Sequence, residues 1–217
     1  MATLTGNTVA STYKQLLKVT SEGIGADASA KYIEDGLGTD SALSISTTRV
    51  GIGTAAPLES LEILGTAGAS AGILISDPSA TTYGAIIKYD DANLLTRIGS
   101  RSNGVDLNQI NIPRDSVNVG IGVVPEAWAS TRKALQIGDR GSVIHSDDAS
   151  LAMFSNAYND GAWKRIEEGH VSGIDLNSSA GTATFNMSGT AAADAAITWT
   201  TTMKLDINSR ISLSNND

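Results

Sequence analysis

Residues 49–57 read RVGIGTAAP, and residues 119–125 repeat the phrase as VGIGVVP. Gly51, Gly53 and Ala56 satisfy the G-x-G-x-x-(G/A) spacing of a dinucleotide-binding loop, behind the strand-like run ALSIST at residues 42–47. In a dinucleotide-binding unit, however, the third small residue opens a helix whose N-terminus faces the pyrophosphate. Here Pro57 and Pro125 follow instead, and then LESLEI (58–63) and KALQI (133–137), which alternate with period two. The second copy puts Pro125 where the third small residue belongs, and neither copy ends in the Lys-Ser/Thr of a P-loop. Both strings therefore predict a corner between strands. Alternating glycines strip one strand face of side chains and admit another backbone. Gly51, Gly53, Gly120 and Gly122 are thus expected at close approaches between chains, near a threefold axis or a strand crossing. Pro57 and Pro125 end the strand and turn the chain.

Further matches accompany the doubled phrase. GVDLN (104–108) answers GIDLN (173–177) at an offset of 69 residues, and TRIGS near Arg97 answers KRIEEG near Arg165. MKLDINSRISLS (203–214) alternates like INIPRDSVNVGIG (110–122) and reads as the start of a third unit. The expected organisation is an N-terminal module over residues 1–48, a first β repeat over 49–117, and a second over 118–217 that ends in a truncated third unit. Repeats of this length, each a few short strands, point to an array or an intertwined fibre-like fold.

Composition agrees. The chain has 217 residues, aromatics are 5%, glycines number 22, and there is no cysteine. So few large side chains cannot anchor a thick core, so partner chains are expected to finish covering the apolar surface. The absence of cysteine excludes disulfides, thiolate metal sites and cysteine nucleophiles. The net charge of −8, with no basic cluster, argues against a nucleic-acid partner, which would need concentrated cations. No basic leader with an apolar run opens MATLTGNTVAS, and no segment approaches the roughly 18 apolar residues of a membrane helix. The expectation is a soluble chain made in a cytoplasm, with no membrane partner. The N-x-[ST] strings at Asn177 and Asn186 are read as chance in a Ser/Thr-rich chain.

Short alternating runs bounded by Gly, Asn, Asp and Pro predict strands from SALSIST (41–47) to RISLS (210–214), an all-β chain of repeated short-strand modules. STYKQLLKV (11–19) reads as a short helix or an amphipathic strand. So many short strands leave sheet edges that must be covered or paired, and interdigitation of three chains would close them.

GNTVASTYKQLLKV, then YIEDGLGTDSALSIST, RVGIGTAAPLESLEI, a second NVGIG and the closing MKLDINSRISLS together resemble the stem and fibre segments of tailed-bacteriophage virion proteins. The resemblance implies an intertwined homotrimer in the virion, built in the host bacterial cytoplasm, with the major capsid protein or a tail protein as partner. Tail fibres, head fibres and capsid decoration proteins share this pattern. The chain lacks a long stem, a receptor-binding tip and a C-terminal chaperone-protease domain, which favours a short capsid decoration or cement protein without enzymatic activity. A short tail fibre or adaptor that recognises a host surface is the alternative, and a glycan-depolymerising spike the third.

Candidate chemistry is sparse, and no cofactor or metal is expected. His145 and His170 are the two histidines, with Asp147 or Asp148 the neighbours for a mixed metal site, but they lack ligand spacing. The carboxylate pairs Asp90/Asp91, Asp147/Asp148 and Glu167/Glu168 could in principle be a glycosidase acid and base, yet neighbours on a strand point to opposite faces. Nothing resembles a 12-residue calcium loop. Trp128, Trp163 and Trp199 are read first as core anchors. Trp128 and Trp163, with Tyr13, Leu16 and Leu17 of the N-terminal module, are the side chains expected at a partner surface if one is docked by large apolar groups.

Overall fold

The computed structural model describes residues 17–20, 23–140, 142–146, 150–208 and 211–213, with 142–146 and 211–213 described as backbone only. Contacts divide the chain after Gly72 into two units. In the first, β1 (Lys18–Val19), β2 (Lys31–Glu34), β3 (Asp40–Ile45), β4 (Val50–Ile52) and β5 (Leu61–Ile63) form a sheet in chain order. Its pairs are antiparallel except β4 with β5, which run parallel.

The second unit is organised around one twelve-stranded sheet. Its strands are β6 (Ala71–Ser76), β7 (Gly84–Asp90), β8 (Leu95–Ser102), β9 (Val105–Pro113), β10 (Val119–Ile121), β11 (Lys133–Ile137), β12 (Ser142–Ser146) and β13 (Ser150–Ser155). A small hairpin of β14 (Ala157–Asn159) and β15 (Trp163–Arg165) interrupts, and β16 (Gly169–Asn177), β17 (Thr182–Ala191), β18 (Thr200–Asp206) and β19 (Ile211–Leu213) resume the sheet beside β13. Only β10 with β11 is parallel among the pairs with described register in this sheet. The described residues hold no α-helix, so the chain is all-β as its alternation predicts. Of STYKQLLKV, Lys18 and Val19 are strand, and most of the rest lies outside the described residues. No helix of the described residues is long and apolar enough to cross a membrane.

Local chemistry explains the meander. Asn103 and Gly104 both adopt positive φ, 50° and 79°, which closes a two-residue turn between β8 and β9 with Ser102 opposite Val105. The 69-residue offset holds less far: Gly104 sits in this turn, whereas Gly173 lies mid-strand in β16, opposite Phe154 and Asn186. At Gly173 a Cβ would lie 2.0 Å from the Phe154 ring, so glycine there admits an aromatic across the strands.

The described core sits on one side of the large sheet. Ala152, Phe154, Ala157 and Val171 pack with Trp163, Ile197 and Trp199, and next to them Trp128, Ala134 and Tyr158 pack with Trp163 and Ile166. Trp163 joins the groups, with ring centroids 4.7 Å from Phe154, 5.7 Å from Trp199 and 6.3 Å from Trp128. These edge-on contacts suit the opposed charge of aromatic face and edge.

Two polar side chains hold this cover in place. Asn156, with φ 62°, donates Nδ2 to the carbonyls of Glu167 and His170 and accepts the Glu167 amide on Oδ1. Arg165 is buried and spends its guanidinium on neutral acceptors: the carbonyls of Gly169, Ala195, Ala196 and Gly189 and the Ser188 hydroxyl. It thereby ties the hairpin to β17 and to the segment before β18. Arg165→Met is expected to lower stability by about 3 kcal/mol or more, because several buried carbonyls lose their donor together; urea unfolding of the two proteins measures it, and a loss within 0.5 kcal/mol refutes the clamp.

Candidate functional site

The two glycine phrases occupy the same local geometry. Gly51 pairs with Ser44 of β3 on one side and Glu62 of β5 on the other; Gly120 pairs with Asn111 of β9 and Gln136 of β11. After each phrase the chain folds back over its own glycine. The Ser44 hydroxyl donates to the Thr54 carbonyl at 2.6 Å, and Asn111 Nδ2 to the Val123 carbonyl at 2.9 Å. Past the proline, the Leu58 amide donates to Glu62 and the Glu126 amide to Gln136, at 2.7 and 2.9 Å. Each loop is thus stapled from both flanking strands, and Pro57 and Pro125 are buried beneath it.

The glycine at the centre has a steric reason. A Cβ on Gly51 would stand 2.4 Å from the Thr54 carbonyl oxygen, and one on Gly120 would stand 2.1 Å from that of Val123. The backbone these glycines admit is the chain's own, so the interchain approach expected from the sequence is not needed to explain them. Gly53 and Gly122 serve the corner itself, with φ of 78° and 71°, where side chains are strained.

In the first unit an acid anchors the entry to this motif. Asp27 accepts the Ser46 and Thr47 hydroxyls and the Thr48 amide on Oδ1, and the Thr48 hydroxyl on Oδ2. These bonds, led by those of Thr48 and Ser46, hold its carboxyl down at about 2. Arg49, next in the chain, donates to the Pro57 carbonyl at 2.6 Å.

Opposite the stapled loops lies a face with large apolar side chains in rows. Ile87, Ile98, Ile110, Ile121 and Ile137 stand in register across β7 to β11. A second row on the same face runs from Val119 and Leu135, through the backbone register of β12, to Met153, Ile174, Phe185 and Met203. Ile87 is 51% exposed, Ile121 40%, Ile137 41% and Met153 51%. Their strand neighbours Ile86, Gly120, Gln136 and Phe154 point to the covered side and are buried. The smaller unit repeats the arrangement: Leu43, Ile52 and Ile63 stand in register behind Gly51, and Leu43 and Ile52 are exposed. Periodicity showed alternation but could not tell which side would be covered.

Trp128, read first as a core anchor and second as a partner contact, is buried against Tyr158 and Trp163. Trp163 is half-buried in the same cluster. Leu17 is exposed, while Tyr13 and Leu16 lie outside the described residues, as do the side chains of His145, Asp147 and Asp148. His170 sits at 3.0 Å from the Thr190 hydroxyl. Asp90 caps a turn through Asn93 and pairs with Arg97 at 2.8 Å; Glu167 lies 3.7 Å from Arg140. Among the described residues no group of three or more His, Asp or Glu side chains is placed to hold a metal ion.

One acidic cluster escaped sequence reading. Tyr158 donates to Asp194 at 2.6 Å, and burial followed by that carboxylate pushes its phenol up; burial and Asp194 also raise the Glu126 carboxyl. Its partners are far apart in sequence, and no spacing signals them. Two clefts of about 370 and 360 Å³ flank Trp128 and share Arg114, Asp115, Ser116 and Asn118, with Arg114 and Asp115 paired to each other at 3.1 Å.

No protein-family model matches this chain, and no curated protein matches it.

Two outcomes follow from the stapled loops. Gly120→Ala is expected to cost about 2 kcal/mol or more, since the added Cβ meets backbone rather than a movable side chain; thermal unfolding reads it, and a neutral change would contradict the intrachain cause. Because the folded pKa of Asp27 lies below its ordinary value of 3.8, its contribution is complete above that value and fades as pH falls through about 2. Carbon-detected NMR should show the Asp27 carboxylate still charged at pH 3, and a midpoint near 4 would contradict the bonds to Ser46 and Thr48.

Proposed function

We infer that this chain is a non-enzymatic structural protein of a phage particle: a homotrimer that decorates the capsid and cements neighbouring capsid subunits. The open apolar face carries the reading. A chain that stations its isoleucines and methionines outward, in ordered rows and behind both glycine loops, is built to be covered in an assembly, since ordinary monomers expose apolar groups singly or in small patches. The resemblance of the glycine-proline phrases and the closing alternation to virion fibre segments supplies the kind of assembly.

The mechanism is binding. Each trimer bridges adjacent capsomers, and because it binds the assembled shell better than separated subunits, it stabilises the shell by mass action. The N-terminal 48 residues are the proposed virion contact, where exposed Leu17 and Leu37 offer apolar anchors. The net charge of −8 complements a basic capsid surface and keeps the free trimer soluble.

The copy number of this protein relative to the major capsid protein in purified particles, by quantitative mass spectrometry, tests the reading. Parity within a small integer ratio is expected. A few per cent of the capsid protein would move the chain to the tail, as a short fibre or adaptor, and its absence from particles would end the virion reading.

A further inference from the structure

We propose that copies of this chain associate through the open face of the twelve-stranded sheet, sheet against sheet, with the isoleucine row of β7 to β11 and the Met153 row at the centre of the contact. The proposal rests on the homotrimer reading only in taking the occupant to be further copies of the same chain. It places the contact on a sheet face, where the sequence alone directs attention to open edges.

Size is the first argument. Strands lie about 4.8 Å apart and rise about 3.3 Å per residue, so the ten strands from β7 to β18 that belong to this sheet, taken five residues deep, present roughly 800 Å² in plan. The largest apolar patch of an ordinary monomer covers about 300–600 Å², and a stable interface takes about 800 Å² from each partner. The face is therefore the size of an interface.

Chemistry is the second. Ile87, Ile98, Ile110, Ile121 and Ile137, with Leu135, Met153, Ile174, Phe185 and Met203, put no charge into either row. Lys88 and Asp90 on β7, and Arg97 and Arg101 on β8, alternate with Ile87 and Ile98, and the register shift at Ile98/Gly99 turns Asp106, opposite Arg101, to that same other face, so the ion pairs Lys88–Asp106, Arg101–Asp106 and Arg97–Asp90 lie away from the rows. A strongly acidic chain repels its copies wherever acid meets acid, and the two rows, with Lys133 at the end of β11 the charge beside them, bring no acid together. Rows of branched side chains also interdigitate at the roughly 10 Å spacing of packed sheets, as the inner faces of a sandwich do.

Recurrence is the third. Leu43, Ile52 and Ile63 repeat in the smaller unit the row that Ile110, Ile121 and Ile137 form in the larger, in the same register to the glycine loop. The outward row thus accompanies the motif in two separate sheets.

Light scattering on the eluting full-length protein, together with peroxide footprinting, tests the proposal. The wild type should run at a small multiple of 22.4 kDa, and Ile98→Asp/Ile121→Asp should fall to the single-chain mass with its β circular dichroism intact. Met153 and Met187, each about half exposed in the isolated chain, should oxidise at least about tenfold more slowly in the assembled wild type than in the unfolded protein. If the double variant does not fold, this wild-type footprint decides alone. A double variant that keeps the wild-type mass, or free oxidation of both methionines in the assembled protein, overturns the face. A wild type of single-chain mass overturns the face and the homotrimer together. An oligomer that dissociates as expected but is missing from particles removes the virion reading and leaves the face standing.

Discussion

A β-sheet has two faces, and this chain carries bulky cover for one of them. Phe154, Trp128, Trp163 and Trp199, brought together by the β14–β15 hairpin and the segment before β18, close one side of the twelve-stranded sheet. Aromatics are only 5% of the residues, and their concentration here leaves the other side to rows of Ile, Val, Leu and Met with the one ring of Phe185, half-buried or exposed. The position of the core, the burial of Gln136 and Gly120, and the outward Ile and Met rows all follow from that one-sided cover.

The cover must be held without large apolar area, and polar side chains do this. Arg165 and Asn156 between them satisfy eight backbone or hydroxyl groups that the irregular crossing segments would otherwise leave wanting. The stapled glycine loops follow the same logic on a smaller scale. Ser44 and Asn111, and then Glu62 and Gln136, take up loop carbonyls and amides that no ladder could reach. Ser and Asn differ in reach, as do Glu and Gln in charge, yet each pair meets the same backbone groups, so the geometry is conserved between the loops while the side chains are not.

This economy bears on function. Among the described carboxylates, Asp90 is engaged with Asn93 and Arg97, Glu167 lies 3.7 Å from Arg140, and Asp194 ties Tyr158 to the segment before β18. The organised, uncommitted surface is apolar.

The sequence by itself determined what acts over a few residues: the strands, through period-two alternation, and the corners at Gly53 and Gly122, through conformations that glycine adopts freely. Near neighbours settle these, so they are legible in order along the chain. Register is different, because it pairs residues tens of positions apart, and a slip by one would exchange the two faces. Only the tertiary structure therefore decided that five isoleucines align outward, that the three tryptophans gather inward, and that the carbonyl lying over Gly120 belongs to the same chain.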